Sequence, residues 1–153
     1  MTQAENYMQL LEQLGGQLPD ASYGVALYIL SSDARLTKIA LPHISSEGIG
    51  FPEMLKQTGQ SERDTKLLQI AYSLFHYSTP CYPSPHDLSQ LGLPYLDIVI
   101  QAIYLASGLH QLRVIEDAEG APVLEISTEK HREAKRIQAG FARFMQAAMA
   151  GEG

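Results

Sequence analysis

The side chains with the widest chemical reach gather in one proline-rich stretch, His76-Tyr77-Ser78-Thr79-Pro80-Cys81-Tyr82-Pro83-Ser84-Pro85-His86-Asp87. His76, Cys81, His86 and Asp87 are all competent zinc ligands. Their order, His-x4-Cys-x4-His-Asp, matches neither a zinc finger nor a helix-borne ligand pair, so no metal site is assigned. Cys81 could act as a nucleophile with His76 or His86 as its base, because a neighbouring imidazolium favours the thiolate. No orienting third group or oxyanion site accompanies it, so no catalytic residue is assigned. The simpler reading is a stiff connection between two helices, with His76 ending one and Asp87 helping to cap the next.

Asp97 and Gln101 form a second constellation, one helical turn apart in an otherwise apolar stretch. Polar side chains on a buried helix must find partners, since an unpaired buried carboxylate is costly. Together with Tyr104, His76 and His86 they are the candidate lining of a polar ligand pocket. The ordinary alternative is a stripe that faces solvent or ties down a loop. Nothing in either constellation implies a cofactor.

The third is the C-terminal segment. Ile137, Phe141, Phe144, Met145, Ala148 and Met149 recur at steps of three and four, one face of a helix. Arg132, Lys135, Arg136 and Arg143 fall on the opposite side. Such a basic back could meet an acidic partner, a membrane surface or nucleic acid. It could equally be a solvated face, since Glu129 and Glu133 interleave with the bases. Uncovered, the apolar stripe is a natural dimer seam. The candidate interface residues are Ile137, Phe141, Phe144 and Met145, flanked by Arg132, Arg136 and Arg143.

Composition bounds these readings. A chain of 153 residues with 45% hydrophobic content suits a single globular domain spanning 1–153, able to bury a core without staples. The single cysteine excludes an internal disulfide and fits a reducing compartment. No signal peptide is visible and no apolar run reaches the ~20 residues of a spanning helix. A soluble, cytoplasmic protein with no membrane partner is expected. Net charge is −6, but residues 1–128 hold 6 Lys/Arg against 14 Asp/Glu, while 129–143 hold 5 against 2. An acidic body disfavours duplex binding, whose affinity comes mainly from Lys and Arg on phosphates.

The elements that must position these groups are mostly helices. Periodicity predicts a helix over Ala4–Leu14, stopped by Gly15-Gly16. A second, Tyr23–Leu30, is apolar on every side. A short third is capped by Ser32 or Asp33 and stopped at Pro42. Residues 43–51 read as a loop, followed by a short helix over Pro52–Gln57. The strongest helix opens at Ser61 and ends before Pro80, with Leu67–Phe75 enclosed nearly all round. A helical turn beginning at Ser84 or Ser89 closes at Gly92, and Tyr95–Leu109 forms a central apolar helix. β-rich runs around the turn-like Asp117–Gly120 predict a hairpin at about 111–127. A long amphipathic helix over about 128–150 completes a mainly α, compact multi-helix bundle with one short hairpin before that helix.

The order of an apolar tyrosine-bearing helix (Tyr23–Leu30), a polar helix-loop segment, a buried helix (Leu67–Tyr77), a Ser/Pro-rich corner and an apolar helix (Tyr95–Leu109) resembles small uncharacterised helical proteins of Gram-positive bacteria and their mobile elements. The likeness covers roughly residues 20–110 and implies a helical fold in a bacterial protein; it implies no activity or site residues.

The leading expectation is a non-enzymatic interaction module, an adaptor or regulator that self-associates or binds a protein partner through the hairpin or last helix. A small enzyme or ligand-binding protein using the pocket candidates is the alternative. Nucleic-acid binding through the basic helix is the third.

Overall fold

The computed structural model describes residues 1–57 and 59–151. In chain order it contains α1 (Gln3–Gln13), α2 (Ala21–Leu30), α3 (Ala34–Ala40), a 3-10 turn (Leu41–His43), β1 (Ile44–Ser45), β2 (Gly48–Ile49), α4 (Phe51–Leu55), α5 (Glu62–Phe75), α6 (Pro85–Ser89), α7 (Tyr95–Ser107), β3 (Gln111–Glu116), β4 (Pro122–Ser127) and α8 (Glu129–Gly151). The architecture is a mainly helical bundle with two small antiparallel hairpins and a long C-terminal helix.

α2 is the axis of the bundle. Val25 through Leu30 are all buried, as a helix apolar on every side requires. α1, α5 and α7 surround it. Phe51 stacks on Tyr72 at 5.1 Å between ring centres, and Phe75 meets Tyr23 edge-on at 5.1 Å, filling the space where α4 and α5 close over the core.

Enclosing α2 to its end creates a polar problem, because the last carbonyls of a helix have no partners within it. No glycine turns the chain there; Ser31 continues in right-handed geometry. Side chains from outside the helix satisfy the exposed acceptors. The Gln3 amide donates to Tyr28 O at 2.9 Å, Asn6 to Ser31 O at 3.2 Å, and the Thr37 hydroxyl to Leu30 O at 2.8 Å. Thus α1 and α3 are fastened to the end of α2 by hydrogen bonds as well as by packing.

A polar belt fixes the other side of the bundle. Asp33 caps α3 by accepting the Arg35 N–H at 2.8 Å, and also accepts the Tyr95 hydroxyl of α7 at 2.9 Å. The Arg35 guanidinium reaches Asp33 at 3.3 Å and Asp64 of α5 at 3.4 Å. Arg63 lies 4.2 Å over the Tyr95 ring. Burial pushes the Asp33 carboxyl up, but the Arg35 N–H, the Tyr95 hydroxyl and the Arg35 guanidinium together hold it below the usual range.

Three expectations require correction. The first helix begins a residue earlier than its periodicity implied, because Thr2 and Glu5 form a reciprocal capping box. Residues 43–51 are not a plain loop: Ile44 pairs with Ile49 and Ser45 with Gly48 in a tight hairpin that buries both isoleucines. α7 is not central. Only Val99 and Ala102 on it are buried, while Ile100 and Ile103 face outward, because no element packs on its outer side. The larger hairpin stands as expected, from Gln111 opposite Ser127 to Glu116 opposite Pro122. Leu112, Val114, Leu124 and Ile126 turn inward and pack on the core, with β4 lying along α1.

Thr37→Val removes a buried donor and keeps the shape, leaving the Leu30 carbonyl unpaired. Urea denaturation is expected to show a loss of about 1–3 kcal/mol. The control Ser107→Ala removes a comparable bond to the Tyr104 carbonyl at an exposed position, and should stay within about 0.5 kcal/mol of wild type.

Candidate functional site: the root and faces of the C-terminal helix

Three segments distant in sequence meet where α8 leaves the body. α7 supplies Gln101 and Tyr104. Gly108, with φ of 79°, ends that helix in the left-handed conformation glycine tolerates, and the chain turns back so that His110 N–H donates to Tyr104 O at 3.3 Å. His131 comes from the first turn of α8 after the whole hairpin has intervened.

Gln101 Nε2 donates to His110 Nδ1 at 2.8 Å, which leaves His110 Nε2–H to donate to His131 Nδ1, also at 2.8 Å. The Tyr104 ring stacks flat on His110 at 4.3 Å and leans against His131 at 4.8 Å. His110 is buried. Its loss of hydration, then the proximity of His131 and Lys135, push its pKa down. A proton added at His110 Nδ1 would face the Gln101 amide donor, so this bonding suits the neutral His110 ring.

These contacts root a helix that has little other support. No residue of α8 is buried, and among its described residues only His131 and Gly140 are even half-buried. Beyond the root, Ile137, Phe141, Phe144, Met145 and Met149 are 44–70% exposed. Arg132, Arg136 and Arg143 are exposed as well. A second uncovered apolar face runs along α7, where Leu93, Ile100 and Ile103 are 44–74% exposed.

A cleft of about 740 Å³ lies beside the root, floored by Tyr7, Val25, Leu105 and Ile126 and rimmed by Arg113 and Arg132. Burial pushes the Tyr7 hydroxyl up to about 12. Arg113 is paired across the strands with Glu125, so much of the rim charge is internally neutralised.

Of the five pocket candidates, the structure brings Gln101 and Tyr104 together at the root. Asp97 is exposed one turn earlier on α7. His76 lies in the exposed turn after α5, its Nδ1 within 2.9 Å of the Ser78 hydroxyl and 3.2 Å of Thr79. His86 is exposed on α6, where the reciprocal Ser84–Asp87 capping box starts the helix. No hydrogen bond or ring contact links Asp97, His76 or His86 to Gln101 or Tyr104 among the described residues. Cys81 is exposed, with its thiol 3.7 Å from the Pro83 carbonyl. No three His, Cys, Asp or Glu side chains converge as metal ligands among the described residues, and none of the described helices is long and apolar enough to cross a membrane.

His110 and His131 escaped sequence reasoning. Each is a lone histidine with no meaningful local spacing, and their partnership exists only through the fold. No known protein family, curated protein or solved structure matches the chain, so its function must be argued from its own geometry.

A histidine whose folded-state pKa lies below its unfolded value of ~6.5 binds protons more readily in the unfolded chain. Its contribution to stability is therefore intact above that pH and is lost as pH falls through the folded value. Urea midpoints should drop between pH 7.5 and 5.5, and the drop should shrink in His110→Gln, which keeps hydrogen-bonding capacity without titrating. An unchanged drop in that variant would remove His110 from the account.

Proposed function

We propose that the chain is a non-enzymatic interaction module that self-associates through α8. One observation carries the reading: a 23-residue helix with no buried residue holds two phenylalanines, an isoleucine and two methionines on one uncovered face. Scattered exposed apolar residues are ordinary on protein surfaces, but a contiguous stripe of large ones marks an interaction site. Met and Phe are also side chains enriched at the centres of interfaces.

Helices in proteins draw most of their stability from packing of an amphipathic face, and α8 buries no residue within its own chain. Association supplies that packing. The arginines on the opposite face keep charge in water while the stripe is covered. The cleft beside the root offers no comparable support for catalysis: its rim charges are partly paired, and although Ser127, Thr128, His110 and Glu129 line it, no hydrogen bond among the described residues joins one of those hydroxyls to an imidazole or carboxylate.

Light scattering coupled to size-exclusion chromatography tests the reading. The wild-type chain should elute as an oligomer at micromolar concentration. Phe141→Glu/Phe144→Glu should shift it to monomer while the body still melts cooperatively, since both side chains lie outside the core. A wild-type monomer at every accessible concentration would refute it.

A further inference from the structure

The two uncovered apolar faces belong to each other in different copies of the chain. We infer that α8 of one copy docks on the outer face of α7 in a second copy, and that the contact is returned, giving a two-fold reciprocal exchange. The inference rests on the reading of α8 as a self-association element and names what receives it.

The dimensions fit. From Ile137 to Met149 the stripe of α8 extends about 18 Å at 1.5 Å per residue. The receiving helix, Tyr95–Ser107, is about 20 Å long on the same basis and carries Ile100 and Ile103 exposed, with Leu93 standing just before it. Leu93, Ile100 and Ile103 present three large aliphatic side chains, and Asp97 and Ser107 are the exposed polar interruptions along that side. In its own chain α8 leaves these residues uncovered while His131 holds its root.

Charge favours the same pairing. Residues 1–128 carry an excess of eight acids and residues 129–143 an excess of three bases. The α8 of one copy is therefore drawn to the acidic body of another, an attraction that steers encounter before contact. A pairing of α8 with α8 would instead bring together two helices that each carry an excess of bases.

Area argues for reciprocity. Stable dimers bury about 1,200–2,000 Å² in total. A single seam between two α8 helices supplies one helix–helix contact and leaves both α7 faces in water. Exchange supplies two such contacts and covers all four apolar faces. It is also isologous, so it closes at two copies.

Complementation between full-length variants tests the exchange. Ile100→Glu/Ile103→Glu damages the receiving face at exposed positions, and Phe141→Glu/Phe144→Glu damages the docking helix. Each alone should weaken dimerisation by at least about tenfold, measured by sedimentation equilibrium, with thermal melts checking that both remain folded. Mixed one to one, they should form a heterodimer, because the intact α8 of the first can dock on the intact α7 of the second. Dimerisation untouched by the α7 substitutions but abolished by those in α8 would overturn the exchange and leave self-association through α8 standing. So would loss in both variants without recovery on mixing. Dimerisation that survives both variants, or a wild-type chain that never dimerises, would overturn both readings.

Discussion

Everything in the bundle depends on enclosing α2. A helix with Val25, Ala26, Leu27, Tyr28, Ile29 and Leu30 in succession has no side that water tolerates. Neighbours are needed all round it, and once they are present the carbonyls at its end lose water too. Gln3, Asn6 and Thr37 answer that second need from α1 and α3. Hydrophobic burial thus chooses which elements surround α2, and hydrogen bonding sets the register in which two of them arrive. An apolar side chain at Thr37 would satisfy the first demand and fail the second.

The same enclosure explains why α7 keeps a free face. α7 contributes Val99 and Ala102 to the wall around α2, a narrow inner strip. Among the described residues nothing is left over to cover its outer side, since the larger hairpin is committed to α1 through β4 and α8 departs from the end of the bundle. A single chain therefore builds a complete core and still has apolar surface on two helices. That surplus is the observation on which the proposed association rests.

Much of the fold was legible because its signals are local. Ser61 before Asp64, the paired glycines after Leu14, the prolines after α5 and the Asp117–Gly120 turn each act within a few residues. What failed was longer in range. The apolar sequence of α7 looked central because composition reports how much apolar surface a helix has, not whether a neighbour exists to cover it. The hairpin at Ile44–Ile49 is too short for a periodic signal, and its glycines pointed equally to a loop. At the site, Gln101 and Tyr104 could be singled out as polar groups on an apolar helix. His110 and His131 could not, because they stand 21 positions apart, across the hairpin, and only the fold sets their ring nitrogens 2.8 Å from each other.

The histidine contact also bears on how tightly α8 can bind. A helix that swung freely from the body would lose that freedom on docking, and the ordering cost would come out of the affinity. Gln101, His110, His131 and Tyr104 hold the first turns of α8 against the end of α7 in a chain of directional contacts. The apolar stripe on α8 and the outer face of α7 are then carried by one framework, as the proposed exchange requires. Because His110 favours its neutral form, that framework is firmest at neutral pH and loosens in acid.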